Sequence, residues 1–370
     1  MIRCVLLWLG SAYGALLLVL AVMLCSILGA VVPQEGVAAA SDLESWRAVH
    51  PVLAGILGTW GGFHVFGSRL FMALLGLLGL NIVACMATHW PGREKAGAWT
   101  RLELTGFVLL HVAVLLVIAG GFVSAGWRLD GRVVLIEGQS WTEGHDSYFV
   151  LFESPFRRHH HPGFQVALNR IEQRFDGKDQ QVELKSHLLL RSAEGETQLR
   201  TLMVNAPFTY RGLAFTQDQV GFAPRLAITR GADGATIMDS FLALKRSSTP
   251  NGNEHRDVVP LPLAGGELIV TMFPSATWRQ GVAQKAGEAP DNPVVKLEYG
   301  SPENHPPPVF VKLGSETSVA GYRISFRDWQ YWSMYRVSED PGYPLVCFGL
   351  WVGLASLVIR YSRTLAVWWF

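Results

Sequence analysis

Four long apolar runs constrain this chain more than any other feature. They span Val5 to Val32, Leu70 to Ala87, Leu104 to Val123, and Tyr343 to Ile359. A helix needs about 20 residues, at about 1.5 Å per residue, to cross a bilayer, and a flanking aromatic layer extends the shortest run. We therefore expect an integral membrane protein with four transmembrane α-helices, three of them N-terminal and one C-terminal.

The first apolar run is predicted to be a retained membrane anchor. It is longer than the apolar core of a secretory signal peptide, and it lacks a small-x-small cleavage site. Cys25 follows the tripeptide Val-Met-Leu, and this context does not suit lipoprotein processing. We therefore count this run as the first transmembrane helix.

The distribution of lysine and arginine predicts the orientation of these helices. The N-terminus, the segment between the second and third runs, and the C-terminal tail carry Arg3, Arg93, Lys95, Arg101, Arg360 and Arg363. The longer segment between the first two runs carries only Arg47 and Arg69. Because basic flanks stay on the cytoplasmic side, we expect both termini in the cytoplasm and the large polar stretch outside the inner (cytoplasmic) membrane.

That polar stretch is predicted to be a large extracytoplasmic all-β domain, either a sandwich or an open barrel. Short runs rich in β-branched and aromatic residues are separated there by turn residues such as the Asp-Gly pairs at 130–131 and 233–234. The strand candidates are Arg132–Glu137, Phe164–Asn169, Gln181–Arg191, Thr197–Val204, Arg225–Thr229, Glu267–Phe273, Val294–Tyr299, Val309–Leu313 and Tyr322–Trp329. Residues 281–292 are predicted to be a surface loop.

Three domains follow from these patterns. Residues 1–126 form a three-helix membrane region, with helices at about 5–32, 70–89 and 104–125. Residues 127–340 form the β-rich domain, and residues 341–370 form the last transmembrane helix with a short cytoplasmic tail.

Composition and missing motifs exclude several classes of protein. A formal net charge of +1 without a basic patch argues against nucleic-acid binding. The cysteines Cys4, Cys25, Cys85 and Cys347 lie in or beside apolar runs, so the predicted external domain has no disulfide and no thiol chemistry. The chain has no CxxCH, P-loop, HExxH, hydrolase elbow or dinucleotide fingerprint, so we predict no catalytic residue.

His111 is the principal candidate functional residue. It lies inside the otherwise uncharged run from Leu104 to Val123. An imidazole is costly in hydrocarbon unless it faces a partner, a cavity or a ligand. Two interpretations remain open at this point: a hydrogen bond to a neighbouring helix, or ligation of a metal or a haem iron.

Other histidines and aromatic residues have simpler interpretations. We expect His159, His160 and His161 to form a solvated loop, because second and third metal ligands at suitable spacing are absent. His50 and His64 lie in the first external loop, which is either a cap over a cofactor or part of an interfacial aromatic belt. The cluster Trp329, Tyr331, Trp332 and Tyr335 is expected to be an interfacial anchor rather than a stacking surface for a macrocycle.

Two features of the apolar runs are assigned to helix packing. Gly10 and Gly14 have the GxxxG spacing that lets helices approach closely. Asn81 is polar within the second run and is expected to bond to a neighbouring helix.

Several stretches, in this order, resemble the ResB/CcsB family of System II cytochrome c biogenesis. They are Leu80-Asn81-Ile82-Val83-Ala84-Cys85, His111 followed by Gly120-Gly121 and Ile136-Glu137-Gly138-Gln139, Val204-Asn205-Ala206-Pro207 with Gly212 and Gln217, and Asp340-Pro341-Gly342-Tyr343-Pro344. The layout of three helices, an external domain and one further helix is also similar to that family.

The resemblance implies a haem-handling function. The family acts with a ResC/CcsA-type membrane protein that holds a tryptophan-rich haem-binding loop, which this chain lacks. Together they are expected to move haem b across the membrane and present it to exported apocytochrome c for thioether attachment. In the holocytochrome c synthase (lyase) complex, this chain would be the subunit that lacks the tryptophan-rich loop. A membrane thiol-reducing protein is a further expected partner.

The resemblance also implies that His111 is an axial haem-iron ligand. With the orientation above, His111 lies roughly 10 Å into the membrane from the cytoplasmic side. The partner is expected to supply the opposing ligand, because the other three helices carry no histidine at that depth. The alternatives are a non-catalytic scaffold that holds apocytochrome or the thiol-reducing partner, and a membrane-anchored sensor.

Overall fold

Six α-helices are present in the described part of the chain, together with 3-10 turns at Val65–Gly67 and His145–Ser147. The computed structural model describes residues 10–35, 38, 40–89, 98–158, 160–176, 180–249, 252–261, 266–300 and 306–362. The helices are α1 (Ala12–Val31), α2 (Ala40–Val49), α3 (Pro51–Trp60), α4 (Arg69–His89), α5 (Ala98–Trp127) and α6 (Tyr343–Arg360).

The chain divides into two compact units. A helical unit comprises Met1–Leu129, Phe152–Arg158 and Asp340–Phe370. A β-rich unit comprises Asp130–Leu151 and His159–Glu339.

Helices α1, α4, α5 and α6 are each long and apolar enough to cross a membrane. This confirms the four helices expected from the apolar runs, although α5 begins earlier, at Ala98. Helix α1 begins after Ser11, whose hydroxyl accepts a hydrogen bond from the Gly14 amide, a common N-cap arrangement. Gly10 lies before this cap, so the predicted GxxxG face does not form. Residues 5–9 of the first run lie outside the described residues.

Asn81 on α4 is buried, and its side-chain amide donates to the Ser11 carbonyl, 3.4 Å away, at the start of α1. This agrees with the expected polar contact to a neighbouring helix.

Small residues bring α5 and α6 into close contact. A Cβ atom on Gly120 would lie 2.9 Å from the Gly342 carbonyl oxygen. A Cβ atom on Gly349 would lie 2.9 Å from the Ala113 carbonyl oxygen. Membrane helices associate through such contacts because lipid provides no hydrophobic driving force between them. The Ser124 hydroxyl also donates to Asp340, 2.5 Å away, just before α6.

The β-rich part contains eighteen strands in the described residues. They are β1 (Leu129–Ile136), β2 (Ser140–Thr142), β3 (Val150–Glu153), β4 (Gln165–Phe175), β5 (Gln181–Arg191), β6 (Thr197–Met203), β7 (Phe208–Tyr210), β8 (Leu213–Arg230), β9 (Thr236–Phe241), β10 (Lys245–Thr249), β11 (Gly252–Leu261), β12 (Gly266–Phe273), β13 (Ser275–Arg279), β14 (Val282–Gly287), β15 (Val294–Gly300), β16 (Val309–Lys312), β17 (Glu316–Val319) and β18 (Tyr322–Glu339). Because β14 occupies 282–287, the prediction of a surface loop over 281–292 was wrong for those residues.

The strands form four sheets. A seven-stranded sheet has the order β3-β1-β18-β8-β7, with β17 added on β18 and β9 added on β8. The others have the orders β10-β11-β12-β15-β16, β2-β4-β5-β6 and β13-β14. All the registered pairings within them are antiparallel, for example Trp332 opposite Gly221 and Val270 opposite Leu297. The all-β character of this region is confirmed.

A hydrophobic core of the β-rich unit is built from strands of the seven- and five-stranded sheets. It includes Leu226 and Ile228 of β8, Ile324 of β18, and Leu268 and Val270 of β12. These side chains are fully buried, and they alternate along their strands as the two-residue period requires.

The aromatic residues before α6 lie in β18. Trp332 and Tyr335 are each only 2% exposed. The Trp332 indole donates to the Leu244 carbonyl, 3.0 Å away, and a Cβ on Gly221 would lie 2.6 Å from that indole nitrogen. The expectation of an interfacial anchor was therefore wrong for these two residues. Aromatic residues also favour strands, and the sequence pattern did not separate the two cases.

The family-like segment from Ile136 to Gln139 forms a turn that joins two sheets. Glu137 accepts hydrogen bonds from the backbone amides of Ile171, at 2.6 Å, and Tyr331, at 3.3 Å. Gly138 has φ +83, a conformation that glycine adopts without strain. Glu137 thus links β4 to β18.

Replacing Glu137 with glutamine should lower the stability of the folded chain by about 1.5–3 kcal/mol, the value of a hydrogen bond to a charged group. The glutamine side chain is neutral. Its NH₂ group is itself a donor and would face the backbone N–H donors of Ile171 and Tyr331. Thermal unfolding of the purified chain in detergent measures this. Glu172→Gln, which alters an exposed side chain on β4, is the matched control, and equal melting temperatures for the two variants would contradict the assignment.

Candidate functional site

His111 lies in the middle of α5 and is half-buried. Its Nδ1 atom is 2.8 Å from the backbone carbonyl oxygen of Phe107, one helical turn earlier. A carbonyl oxygen only accepts, so Nδ1 carries the proton of the neutral ring and the lone pair resides on Nε2. This hydrogen bond therefore lies within α5. The first of the two open interpretations expected it to reach a neighbouring helix.

The surroundings of His111 combine an aromatic ring with one nearby cation. The Phe107 ring centroid lies 4.1 Å from the His111 ring centroid. The Arg360 guanidinium of α6 lies 5.5 Å from the Phe107 centroid, and it donates to the Glu103 carbonyl, 3.1 Å away. Gly106 permits this approach, because its Cβ would lie 2.7 Å from the Arg360 backbone nitrogen.

This arrangement suits coordination of a metal by Nε2. Metal-bound histidines usually donate their second ring N–H to a carbonyl or carboxylate, which fixes the tautomer and orients the ring. The Phe107 carbonyl has this position at His111. The position of His111 within an apolar run indicated the residue, but the tautomer and the Arg360 contact could not be derived from the sequence.

The triple histidine is more structured than the sequence suggested. His161 is mostly buried, and its Nδ1 lies 2.5 Å from a carboxylate oxygen of Glu143, which is itself buried. Glu143 also accepts from the Gly163 amide at 3.0 Å. The expectation of a solvated loop was thus wrong for His161, whereas His160 is exposed and His159 lies outside the described residues.

Hydrogen bonds around Gln34 and Glu35 connect described parts of the segment between α1 and α4. The Gln34 side chain accepts from the Val65 amide at 2.9 Å, and Glu35 pairs with Arg47 at 2.7 Å. His64 Nδ1 lies 3.4 Å from the second Glu35 oxygen. His50 instead packs against Trp46, with ring centroids 4.9 Å apart.

A partly buried ionic cluster in the β-rich unit was not predicted from sequence. His255 is 5% exposed, and its Nε2 lies 3.2 Å from Glu288, which also pairs with Lys285 at 2.5 Å. Burial alone would raise the pKa of Glu288, but hydrogen bonds from His255 and Lys285 lower that pKa to about 2. His255 lies 33 residues before Glu288 in the sequence, and the segment that carries Lys285 and Glu288 was predicted as a loop.

Replacing Glu288 with glutamine should reduce stability at neutral pH by about 2 kcal/mol, after allowance for partial exposure. The carboxyl has a folded pKa of about 2, below its ordinary 4.5. Its stabilising effect is therefore complete above that ordinary value and is lost as the pH falls through about 2. Thermal unfolding at a series of pH values measures the difference between wild type and variant. A difference that grows on acidification would contradict the assignment. The control is Glu298→Gln, which alters a carboxylate that pairs with Lys296 and is more exposed than that of Glu288.

The sequence model of the ResB-like family matches residues 14–101 and 95–369, and hence nearly the whole chain. This chain belongs to the ResB-like family. The family-like segments identified above, including the turn at Glu137 and the helix that carries His111, all lie within the matched ranges.

Curated relatives cover the chain at low identity. A cytochrome c biogenesis protein CcsB from Synechococcus sp. (strain JA-2-3B'a(2-13)) is 22% identical over 421 aligned positions, which cover 95% of this chain and 82% of the relative. CcsB from Gloeobacter violaceus is 24% identical and covers 98% of this chain and 84% of the relative. The chloroplastic cytochrome c biogenesis protein CCS1 of Oryza sativa subsp. japonica is 22% identical over 56% of this chain and 46% of the relative.

Proposed function

We propose that this ResB-like chain takes part in cytochrome c biogenesis as a subunit of a System II cytochrome c synthase. With a ResC/CcsA-type membrane protein, it moves haem b across the inner membrane and presents it to exported apocytochrome c for thioether attachment. The family membership and the names of the relatives, CcsB and CCS1, support the pathway. The geometry of His111 supports the haem-handling role.

The observation that carries this proposal is the hydrogen bond from His111 Nδ1 to the Phe107 carbonyl. It directs the Nε2 lone pair away from the helix backbone, where it can bind the iron of haem as an axial ligand. Haem is the transported cargo, and the opposing axial ligand comes from the partner protein. We assign no residue of this chain to thioether bond formation.

The positive charge of Arg360, at the end of α6 that lies beside Phe107, suits the entry of haem from the cytoplasmic side. In the proposed topology both termini are cytoplasmic, and Arg360 lies near the inner end of α6. Its guanidinium is positioned beside the Phe107 ring, where it can pair with a haem propionate, because arginine binds carboxylates in a two-pronged geometry.

Haem content of the purified chain, produced with and without its partner, tests this function. The chain should retain haem stably only with the partner, because each protein contributes one axial ligand. Cells lacking the chain should not accumulate holocytochrome c. If the chain crosslinks to apocytochrome while the purified pair contains no haem, the proposal is wrong and the scaffold alternative is favoured.

A further inference from the structure

A groove of about 730 Å³ lies in the β-rich unit, bordered by β5 and β8. Residues 181–184 of β5 and 217–220 of β8 line it, together with Val204 and Arg246. The four residues of β8 span about 13 Å, at about 3.3 Å per residue. The groove is therefore long enough for a short extended segment of polypeptide.

One edge of β8 lacks a partner strand along this groove. Strand β18 pairs with β8 along nearly its whole length, so β7 and β9 share the opposite edge. On that edge β7 ends its pairing at Phe215, and β9 begins its pairing at Arg225. The Leu244 amide donates to the Phe222 carbonyl, 3.1 Å away. Among the described residues, no strand therefore pairs with 216–221 on the edge opposite β18.

Val220 directs its backbone N–H and carbonyl toward this open edge. The Gln219 carbonyl accepts from the Ser333 hydroxyl of β18, 2.8 Å away, whereas the Phe222 carbonyl accepts from Leu244 on the other edge. Backbone groups alternate between the two edges along a strand, so those of Val220 have the same direction as those of Phe222. An open strand edge is a template for pairing with another extended chain.

The part of β5 that lines the groove also has an open edge. Strand β4 pairs with β5 as far as Gln181, but β6 pairs with it only as far as Lys185, opposite Met203. Residues 181–184 thus extend past the end of β6, and no strand in the described part of the chain lies on that edge. The groove is therefore lined by residues of two strands that each lack one partner there.

Gln217 supplies a side-chain acceptor to the lining. Its side-chain nitrogen donates to the Ser333 hydroxyl, 3.2 Å away. Its side-chain oxygen is buried and accepts no hydrogen bond from a described residue. Buried acceptors are nearly always paired, because one without a donor is costly. A backbone N–H of an occupant of the groove would satisfy this oxygen.

The charged residues of the lining leave one cation for an occupant. Glu183 pairs with Lys185 at 2.6 Å, and Asp218 pairs with Arg132 at 3.3 Å. Arg246 is exposed and forms no ion pair with a described residue. The groove therefore favours a segment that places a carboxylate opposite Arg246.

We infer that this groove binds an extended segment of the exported apocytochrome c, which joins the β-rich unit as an added strand. The inference rests on the proposed function, in which apocytochrome is the substrate. Haem binding stabilises the folded form of a cytochrome, so before haem attachment its backbone groups are available to pair. Recognition through the backbone accepts many sequences, and an acidic residue opposite Arg246 fixes the position of the segment.

Photocrosslinking from the groove tests this inference. A photoreactive phenylalanine analogue replaces Val204, an exposed lining residue, in the full chain with its ResC/CcsA-type partner in nanodiscs. The probe is full-length apocytochrome c whose CxxCH cysteines are changed to serine. The same analogue at Leu199, an exposed β6 residue outside the lining, is the matched control. We expect Val204 to crosslink to one short segment that carries an acidic residue, and Leu199 to give no crosslink to that segment.

Three substitutions measure the contributions of the backbone and of the charge. Val220→Pro removes the N–H that faces the groove and should weaken apocytochrome binding by about three- to ten-fold. Val220→Ala retains that N–H, so it should bind more tightly than the proline variant. Arg246→Gln should weaken binding by about two- to five-fold, the value of an exposed ion pair, and this loss should disappear at high salt.

Hydrogen exchange on the wild-type chain provides a test that does not depend on any variant. Bound apocytochrome should slow the exchange of backbone amides in residues 216–221 and 181–184, because an added strand supplies their missing partners. Amides of β12, which pairs with β11 and β15 on its two edges, should exchange at the same rate with and without apocytochrome.

Unchanged exchange over 216–221 with apocytochrome bound would overturn the inference, as would the absence of an apocytochrome crosslink from Val204. Crosslinks from Val204 to the ResC/CcsA-type protein alone would also overturn it, and would identify the groove as a subunit interface. None of these results bears on haem at His111, which is measured in the pair without apocytochrome. Failure here is therefore distinguishable from failure of the proposed function.

Discussion

Replacing His111 with alanine is expected to remove haem from the membrane site shared by this chain and its ResC/CcsA-type partner. Alanine offers no iron ligand, and the loss of even an outer partner of a metal ligand weakens binding by about 10–100-fold. Haem in the purified pair and holocytochrome c in cells should therefore both fall by at least about ten-fold. A pyridine haemochrome assay on the purified pair measures the first quantity, and haem staining of cell extracts measures the second.

Added imidazole should restore haem to the His111→Ala pair, because the free ligand can occupy the space of the missing side chain. His50→Ala is the matched control, since it removes a histidine that packs on Trp46 in the loop between α1 and α4. A mutant pair with its full haem complement, and with no response to imidazole, would contradict the role of His111.

Replacing Gly120 with leucine is expected to prevent the close packing of α5 on α6. The first added carbon would lie 2.7 Å from a Val346 methyl group and 2.9 Å from the Gly342 carbonyl oxygen. One of the clashing atoms belongs to the backbone. The free energy of unfolding should therefore fall by about 3 kcal/mol or more, the upper end of the range for overpacked sites. The yield of folded chain in the membrane and its melting temperature in detergent measure the effect.

Gly121→Leu is the matched control for this substitution. It inserts the same side chain one position later on α5, where an added Cβ meets no atom within 4 Å. This variant should accumulate and melt like the wild type. If both glycines tolerate leucine equally, the close α5–α6 contact does not exist as described.

The helical region was largely predictable because its signal is local. An apolar run long enough to span a bilayer satisfies its backbone groups only as a helix, so composition alone indicated α1, α4, α5 and α6. The pairing of α5 with α6 was not predictable, because the two helices are separated by the whole β-rich part of the chain. Nothing in the sequence indicated that Gly120 faces Gly342 or that Gly349 faces Ala113.

The β-rich unit was predictable in class but not in detail. Strand candidates such as Gln181–Arg191 coincide with a strand, because buried positions such as Leu188 and Leu190 alternate with more exposed ones. The long strand β8 was recognised only over Arg225–Thr229, since its first half includes polar and glycine residues. The two-residue period also does not reveal which strand is the partner, and the sheet orders therefore remained unknown.

The candidate site was predictable only at the level of a single residue. An imidazole in an apolar run stands out, and His111 was identified in that way. The Phe107 carbonyl that fixes its tautomer is backbone, and Arg360 arrives from the other end of the chain. Similarly, the partnership of His64 with Glu35 depends on the folding of the first loop, which has no periodic sequence signal.

The absorption spectrum of haem in the purified pair, with cysteine in place of His111, tests the central claim most directly. A sulfur ligand on the iron changes the electronic structure of the haem, so His111→Cys should retain haem with a shifted Soret band. The account predicts that shift in the pair that carries the cysteine and its absence in the His50→Cys pair. A Soret band identical to that of the wild type, with full haem content, would show that His111 is not bound to the iron.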